Sequence, residues 1–215
     1  MRTAMQFILD NYDRIGFAAL RHLQICGWSI ALAVLVGVPL GLLAARVRGI
    51  AMPILAAVSI IYTVPTLAMY GLMLPILGLG LVPAVAAIAL YSLLPIVQNV
   101  YTGLTTIRAD VTEAAVGIGM SPTQRLLRVE LPLSLPILFA GLRVSVVNAI
   151  GMGTLASLVG AGGLGELVFR GIATVSLGVV AAGSVPVIAM ALIADALTRR
   201  LEMHFAWETG EERPA

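Results

Sequence analysis

Few side chains in this sequence are equipped for chemistry, and their spacing narrows what that chemistry is. The run GAGGLG (Gly160, Gly162, Gly163, Gly165) has the form of a dinucleotide fingerprint. That fingerprint works only after a strand, before a helix, and with an acid about 20 residues on. Here it follows an apolar run long enough to be a membrane span, so it reads as a tight turn or gate segment where backbones pack closely. All 13 basic residues are arginine. Without lysine no GxxxxGK[ST] phosphate loop exists, so any ATP chemistry has to come from another chain. Cys26 stands alone, and His22 and His204 are far apart with no Cys or acidic cluster beside them. No metal site, no cofactor and no disulfide framework is expected. The apolar runs also lack a catalytic pair such as two aspartates or a serine with a histidine. The chain reads as a non-enzyme.

The elements that would position these residues follow from composition. The 215 residues are 60% hydrophobic and 11% charged, where a soluble domain carries about a quarter charged. Most of the surface must therefore face lipid. The net charge of +2 is spread over scattered arginines, which is no footprint for nucleic acid. Asp10, Asn11, Asp13, Arg14 and Arg21 occupy the place of a signal-peptide apolar region, so no cleavable signal is expected. Five runs are long enough to span: Leu23–Ala45, Pro53–Leu77, Leu81–Tyr101, Leu135–Val159 and Val175–Leu197. Lipid requires backbone groups to be satisfied within a segment, so these are helices. Pro65 and Pro75 predict a kinked or broken second run, and Pro39 a kink in the first. A sixth short or re-entrant element is possible near Leu164–Ile172. The fold class is all-α integral membrane with about five transmembrane helices.

Arginine placement sets the orientation. Arg46 and Arg48, then Arg108, Arg125 and Arg128, then Arg199 and Arg200 fall on one side of a five-span chain. That side is expected to be the cytoplasm, with the N-terminus outside; Arg2, Arg14 and Arg21 weaken the bias at that end. The expected organisation is an extracytoplasmic segment 1–14, a transmembrane domain 15–200 and a short, disordered, cytoplasmic tail 201–215.

One charged stretch, EAAVGIGMSPTQRLLRVELP (Glu113–Pro132), interrupts the apolar sequence on that side. Asp110 and Glu113 have capping-box spacing. Gly119 can stop a helix by taking positive φ. Ser121 can cap again, with Pro122 in the first turn and Gln124 three residues on. Pro132 is expected to end this second helix and Pro136 to begin the next span. Ala114 and Ala115 leave one side thin enough for another surface to approach, and Leu126, Leu127 and Val129 give the second helix an apolar side. Local signals fit a solvated, capped loop as well as a docking element. A helix this short is marginal in water unless it packs on something.

The stretch resembles the EAA motif of ATP-binding-cassette importer permeases. Glu113-Ala114-Ala115, Gly119, Val129 and Leu131-Pro132 keep every spacing of that motif. The resemblance covers residues 15–200 and implies the type I, methionine-permease-like fold. It implies coupling helices seated in a groove of a cassette ATPase, with Glu113, Ala114, Ala115, Gly119, Met120, Ser121 and Gln124 at the contact. Leu131 and Pro132 would shape the return into the membrane. It also implies a second permease copy or homologue, an extracytoplasmic substrate-binding protein, and a bacterial cytoplasmic (inner) membrane location. The stretches Val64–Gly80, Leu90–Leu104 and Gly153–Ile172 are similar to the glycine betaine/choline/carnitine osmoprotectant branch. Methionine-type importers share parts of the pattern. An ion-coupled secondary carrier is the rival outside the family, but the spans hold almost no acids and no inverted repeat is visible.

Polar residues inside spans are functional candidates. Arg143 reads either as snorkelling to the cytoplasmic end or as functional. Asn148 with Thr154 reads as helix packing or as path lining. Tyr62, Thr63, Thr66 and Tyr70 give the broken second span a polar, aromatic edge of the kind a quaternary ammonium favours. The tyrosines are too spread in sequence to form a cage. The candidate translocation path is therefore Tyr62, Thr63, Thr66, Asn148 and Thr154. Asp195 and Arg199 are spaced as an end-of-helix pair, Gly37 and Gly41 as a packing GxxxG, and Trp28 and Trp207 as interface anchors.

Overall fold

In lipid, each backbone N–H and C=O has to find its partner within the chain. The computed structural model describes residues 11–208, and among them it meets that demand with helices and no strands. The expectations for Arg2, Asp10, the Trp207 side chain and the acidic end of the tail lie outside the described residues.

Helix α1 runs Tyr12–Arg46, about 50 Å at 1.5 Å per residue. It extends well before the expected Leu23, because hydropathy finds only the stretch immersed in hydrocarbon, not a helix that overhangs it. Pro39 lies inside α1 without ending it. The second run is broken as expected, into α2 (Arg48–Thr63) and α3 (Thr66–Leu77), bent by 98°. Pro65 has no N–H to continue the ladder and forces Val64 to an extended conformation (φ −64°, ψ 131°). The Tyr91 hydroxyl donates to the Val64 carbonyl at this break.

Helix α4 (Leu81–Thr105) is the most buried of the spans and carries the core. Its contact with α1 depends on the GxxxG. A Cβ at Gly41 would lie 2.5 Å from Val100 Cβ, and one at Gly37 2.9 Å from Ile96 Cγ2. Small residues let the two backbones approach, as the packing reading expected.

After α4 come α5 (Ala109–Gly117) and α6 (Pro122–Arg125), which passes through a π turn (Leu126–Glu130) into α7 (Leu131–Gly153). Here the sequence reading needs correction. Pro132 does not end a helix and Pro136 does not begin one; Pro122–Gly153 is one continuous 32-residue helix. The π turn just before Pro132 re-spaces the hydrogen-bond ladder where the missing N–H would interrupt it. A 3₁₀ turn (Leu155–Val159) follows, so this span ends at Gly153 rather than Val159.

The short sixth element exists as α8 (Gly165–Ala173), followed by α9 (Leu177–Glu208). The expected disordered tail is helical as far as Glu208. The Phe205 ring stacks on Phe139 of α7 at 4.9 Å, which gives the last turns something to pack against. Helices α8 and α9 meet through glycines: a Cβ at Gly171 would lie 2.5 Å from Val180 N, and one at Gly183 2.7 Å from Val168 Cγ2.

Side chains of other elements bond carbonyls near the end of α7, where intrahelical donors run out. Cys26 Sγ donates to Ala149 O (3.4 Å), His22 Nε2 to Ile150 O (2.9 Å) and Tyr70 Oη to Met152 O (3.1 Å). His22 is thus a capping residue inside the core. The adjoining glycine loop takes left-handed φ at Gly160, Gly162 and Gly163 (+76°, +84°, +91°). Arg21 Nε donates to Ala161 O (3.0 Å), and Gly80 N to Val159 O (2.8 Å), tying the loop to α1 and to the α3–α4 turn.

Replacing Gly41 by leucine should cost about 1–3 kcal/mol, the usual cost of overpacking. Thermal unfolding in detergent reads this as a lowered midpoint. Gly27→Leu is the matched control: a Cβ there would meet nothing within 4 Å, and replacing glycine in a helix interior should not lower the midpoint.

Candidate functional site: a helical elbow and its clamp

The elbow is built from two helix ends placed back to back. Helix α5 ends in a Schellman motif: Met120 N donates to Ala115 O (3.1 Å) and Gly119 N to Val116 O (2.9 Å), with Gly119 at φ +82°. Gly119 supplies the positive φ that this motif needs. Ser121 opens α6 with a complete capping box. Its Oγ accepts from Gln124 N (3.3 Å), and its N–H donates to Gln124 Oε1 (2.9 Å). The corner Gly119-Met120-Ser121 therefore leaves few free backbone groups and little freedom to flex.

The start of α5 differs from expectation. Arg108, not Asp110, occupies the N-cap, and no side chain caps it. Asp110 lies in the first turn and binds Arg108 through two hydrogen bonds (2.7 and 3.1 Å) while accepting from Val111 N. This pairing removes Asp110 from capping-box duty with Glu113. The guanidinium beside it holds the Asp110 carboxyl below the usual carboxylate range. The pair is fully exposed and contributes little to stability.

The two alanines part ways. Ala115 is buried, whereas Glu113 and Ala114 face outward. Val116, Ile118 and Leu127 are exposed around the same corner, and a cavity of about 350 Å³ opens between Thr112, Glu113, Val116, Gly117 and Arg125. The elbow thus presents an acidic residue, small residues and scattered apolar side chains beside a notch.

Glu130 joins the elbow to the bundle, and sequence reading did not single it out. Its side chain is only 9% exposed and is held between Arg125 Nε (2.7 Å to Oε1) and Arg46 at the end of α1. One carboxylate thereby links α1, α6 and the base of α7. Leu131 and Pro132 follow directly, in the continuous helix.

The candidate path residues fall in two places. Tyr62 packs edge-on against Tyr91 (5.9 Å), beside the α2–α3 break, and Thr63 spends its hydroxyl on Ile60 O (2.7 Å). Thr66 begins α3 just past the break. Thr154 caps the end of α7, and its carbonyl accepts from Ser157 Oγ (3.0 Å). Asn148 instead lines a cavity of about 380 Å³ with Arg143 and Asp195, between α7 and α9. Arg143 does not simply snorkel: its Nε donates to Asp195 Oδ1 at 2.6 Å. Asp195 is consequently committed across the helix pair to Arg143 rather than along α9 to Arg199. Among the described residues, no group of His, Cys, Asp and Glu is arranged to hold a metal ion.

Residues 37–206 match the family model described as binding-protein-dependent transport system inner membrane component. The chain is 39% identical over 204 residues to the osmoprotectant import permease protein OsmW of Salmonella typhimurium, covering 93% of this chain and 95% of that protein. It is 39% identical over 195 residues to the choline transport system permease protein OpuBB of Bacillus subtilis, covering 91% and 90%. Among solved structures it resembles an inward-facing methionine ABC transporter, MetNI, at TM-score 0.74 and 23% identity, covering 94% of this chain and 99% of that one. At that identity the likeness speaks for the fold.

Glu130→Gln should lower stability by about 2 kcal/mol, the loss of a buried ion pair discounted for the partial exposure of both arginines. Thermal unfolding in detergent measures it. Leu127→Ser, on the exposed face of the same turn, should change stability by no more than about 0.5 kcal/mol.

Proposed function

The chain belongs to the binding-protein-dependent transport system inner membrane components, and from that premise we propose that it is the permease subunit of an ATP-driven importer for glycine betaine, choline or carnitine. The observation that carries the substrate class is near-complete coverage of the osmoprotectant and choline permeases at 39% identity. The methionine importer matches at 23%, which supports the shared architecture and leaves the substrate to the nearer relatives.

The elbow is the part that takes up ATP energy. Lacking any lysine, the chain has no phosphate loop, so a separate cassette ATPase binds and hydrolyses the nucleotide. Glu113, Ala114, Gly119, Met120, Ser121 and Gln124 form the outward corner that seats in it, while Ala115 holds α5 against the chain's own structure. Closure of the ATPase pair displaces the corner. The continuous helix Pro122–Gly153 and the Glu130 clamp carry that displacement to α7 and α1. Two permease copies or homologues enclose the path, and an extracytoplasmic binding protein delivers the solute. Work is done by shifting the balance between two packings of the same helices. The elbow, Arg46 and the end of α9 face the cytoplasm in this reading. The glycine loop, the α3–α4 turn and the start of α1 face outward, in keeping with the arginine bias. Tyr62, Thr66 and Thr154 then lie toward the outer half of the path, and Asn148 deeper.

Gly119→Asp tests the coupling role. A Cβ there meets nothing within 4 Å, and Asp tolerates left-handed φ better than most residues. Any side chain at φ +82° is strained, so Gly119→Asn, equally strained but uncharged, is the control that isolates the effect of the added charge on docking. Co-purification with the ATPase, or solute-stimulated ATP hydrolysis in proteoliposomes, should fall at least tenfold while membrane insertion is retained. Undiminished association and uptake would count against the elbow as the docking element.

A further inference from the structure

Arg143 lies about 20 Å of helix beyond Glu130, within the candidate span Pro122–Gly153. It is paired but not sealed. Arg143, Asp195 and Glu202 side chains remain 33%, 37% and 28% exposed. Only the Nε–Oδ1 bond is short, at 2.6 Å. The two Nη contacts, to Asp195 Oδ2 and Glu202 Oε2, are 3.4 and 3.5 Å, at the outer limit for hydrogen bonds. A guanidinium has five donors; here one is in a short bond, two are in long contacts and two have no hydrogen bond. Lipid cannot solvate such a group, and intramembrane charges face a bundle interior or water-filled cavity and mark solute pathways. Asn148, five residues or about one and a half turns further along α7, lines the same cavity of about 380 Å³.

We propose that the groove of Arg143, Asn148 and Asp195 is a station on the translocation path that binds zwitterionic solutes, with the solute carboxylate on Arg143 and its quaternary ammonium against Asp195. This rests on the osmoprotectant reading above. The chemistry suits a small inner salt because the cation and the anion of the site sit side by side. An incoming carboxylate replaces the two long Nη contacts. The released face of the Asp195 carboxylate meets the trimethylammonium group. A purely cationic solute uses Asp195 alone and gains nothing from Arg143. The two residues thereby set the preference between glycine betaine and choline.

The test uses the complete transporter, with ATPase and binding protein, in proteoliposomes, and measures uptake of glycine betaine and choline side by side. Arg143→Gln should lower the betaine-to-choline ratio at least tenfold, and Asp195→Asn should raise it. Asn148→Cys supplies a readout that does not depend on either charge variant assembling. Cys26, the chain's own cysteine, is buried, so a membrane-impermeant thiol reagent should label the new thiol, and saturating glycine betaine should protect it. Equal loss of both uptakes in both charge variants, or an unlabelled Asn148→Cys, overturns the proposal in favour of a dry structural brace. Failure of the wild-type complex to take up either solute overturns the osmoprotectant reading and this inference with it. Uptake of both with an unmoved ratio overturns this inference alone.

Discussion

The structure depends on one constraint: a backbone carbonyl left open in lipid has to be closed by something else in the chain. Three departures from simple helix are closed in this way. The chain breaks at Pro65, and Tyr91 reaches across from the neighbouring span to the freed Val64 carbonyl. Helix α7 stops at Gly153, and Cys26, His22 and Tyr70 take its last carbonyls. The glycine loop beyond it turns three times through left-handed φ and is held by Arg21. Polar residues that look like candidates for chemistry in the sequence are therefore largely spent on backbone, and their positions fix where the bundle can bend.

The elbow follows a different rule, because it meets water. Its order comes from local hydrogen bonding at Gly119 and Ser121, and a single carboxylate ties its base to the end of α1. Glu130 is the point where the aqueous corner becomes a membrane helix. Two arginines from separate elements neutralise it, so the corner cannot swing without either moving the end of α1 or breaking a largely buried ion pair. Rigid corner, continuous helix and clamped base together make a part suited to transmitting force.

How much of this was legible in the sequence depended on range. The spans were legible because hydrocarbon imposes a composition, and the Gly119–Gln124 corner because its motifs close within a few residues. Pairings between distant residues were not legible. Arg143 and Asp195 are 52 positions apart, and His22 and Ile150 are 128 apart; nothing local announces either. Local rules also misled where a neighbour competed. Arg108 captured Asp110 away from its capping role, and a π turn let the helix pass Pro132. The tail looked too polar to order, yet Phe139 gave Phe205 a surface. The elbow residues were found from a motif and its spacing, while Glu130, which anchors them, has no signature beyond being an acid beside a Leu-Pro.

The π turn at Leu126–Glu130 has a consequence for phase. An ordinary helix fixes which side chains face which way from one end to the other, about 100° per residue. A single wide turn adds a residue without adding a full step, so the azimuth of the elbow and the azimuth of the membrane portion are set independently. The corner can take one bearing while Gly141, Arg143 and Asn148 keep those that the bundle requires. Deleting one residue from this turn would restore a uniform helix with its two halves near their present bearings, whereas a deletion in the regular helix would rotate one half against the other by about 100°. The irregularity works as a vernier between two surfaces with separate requirements.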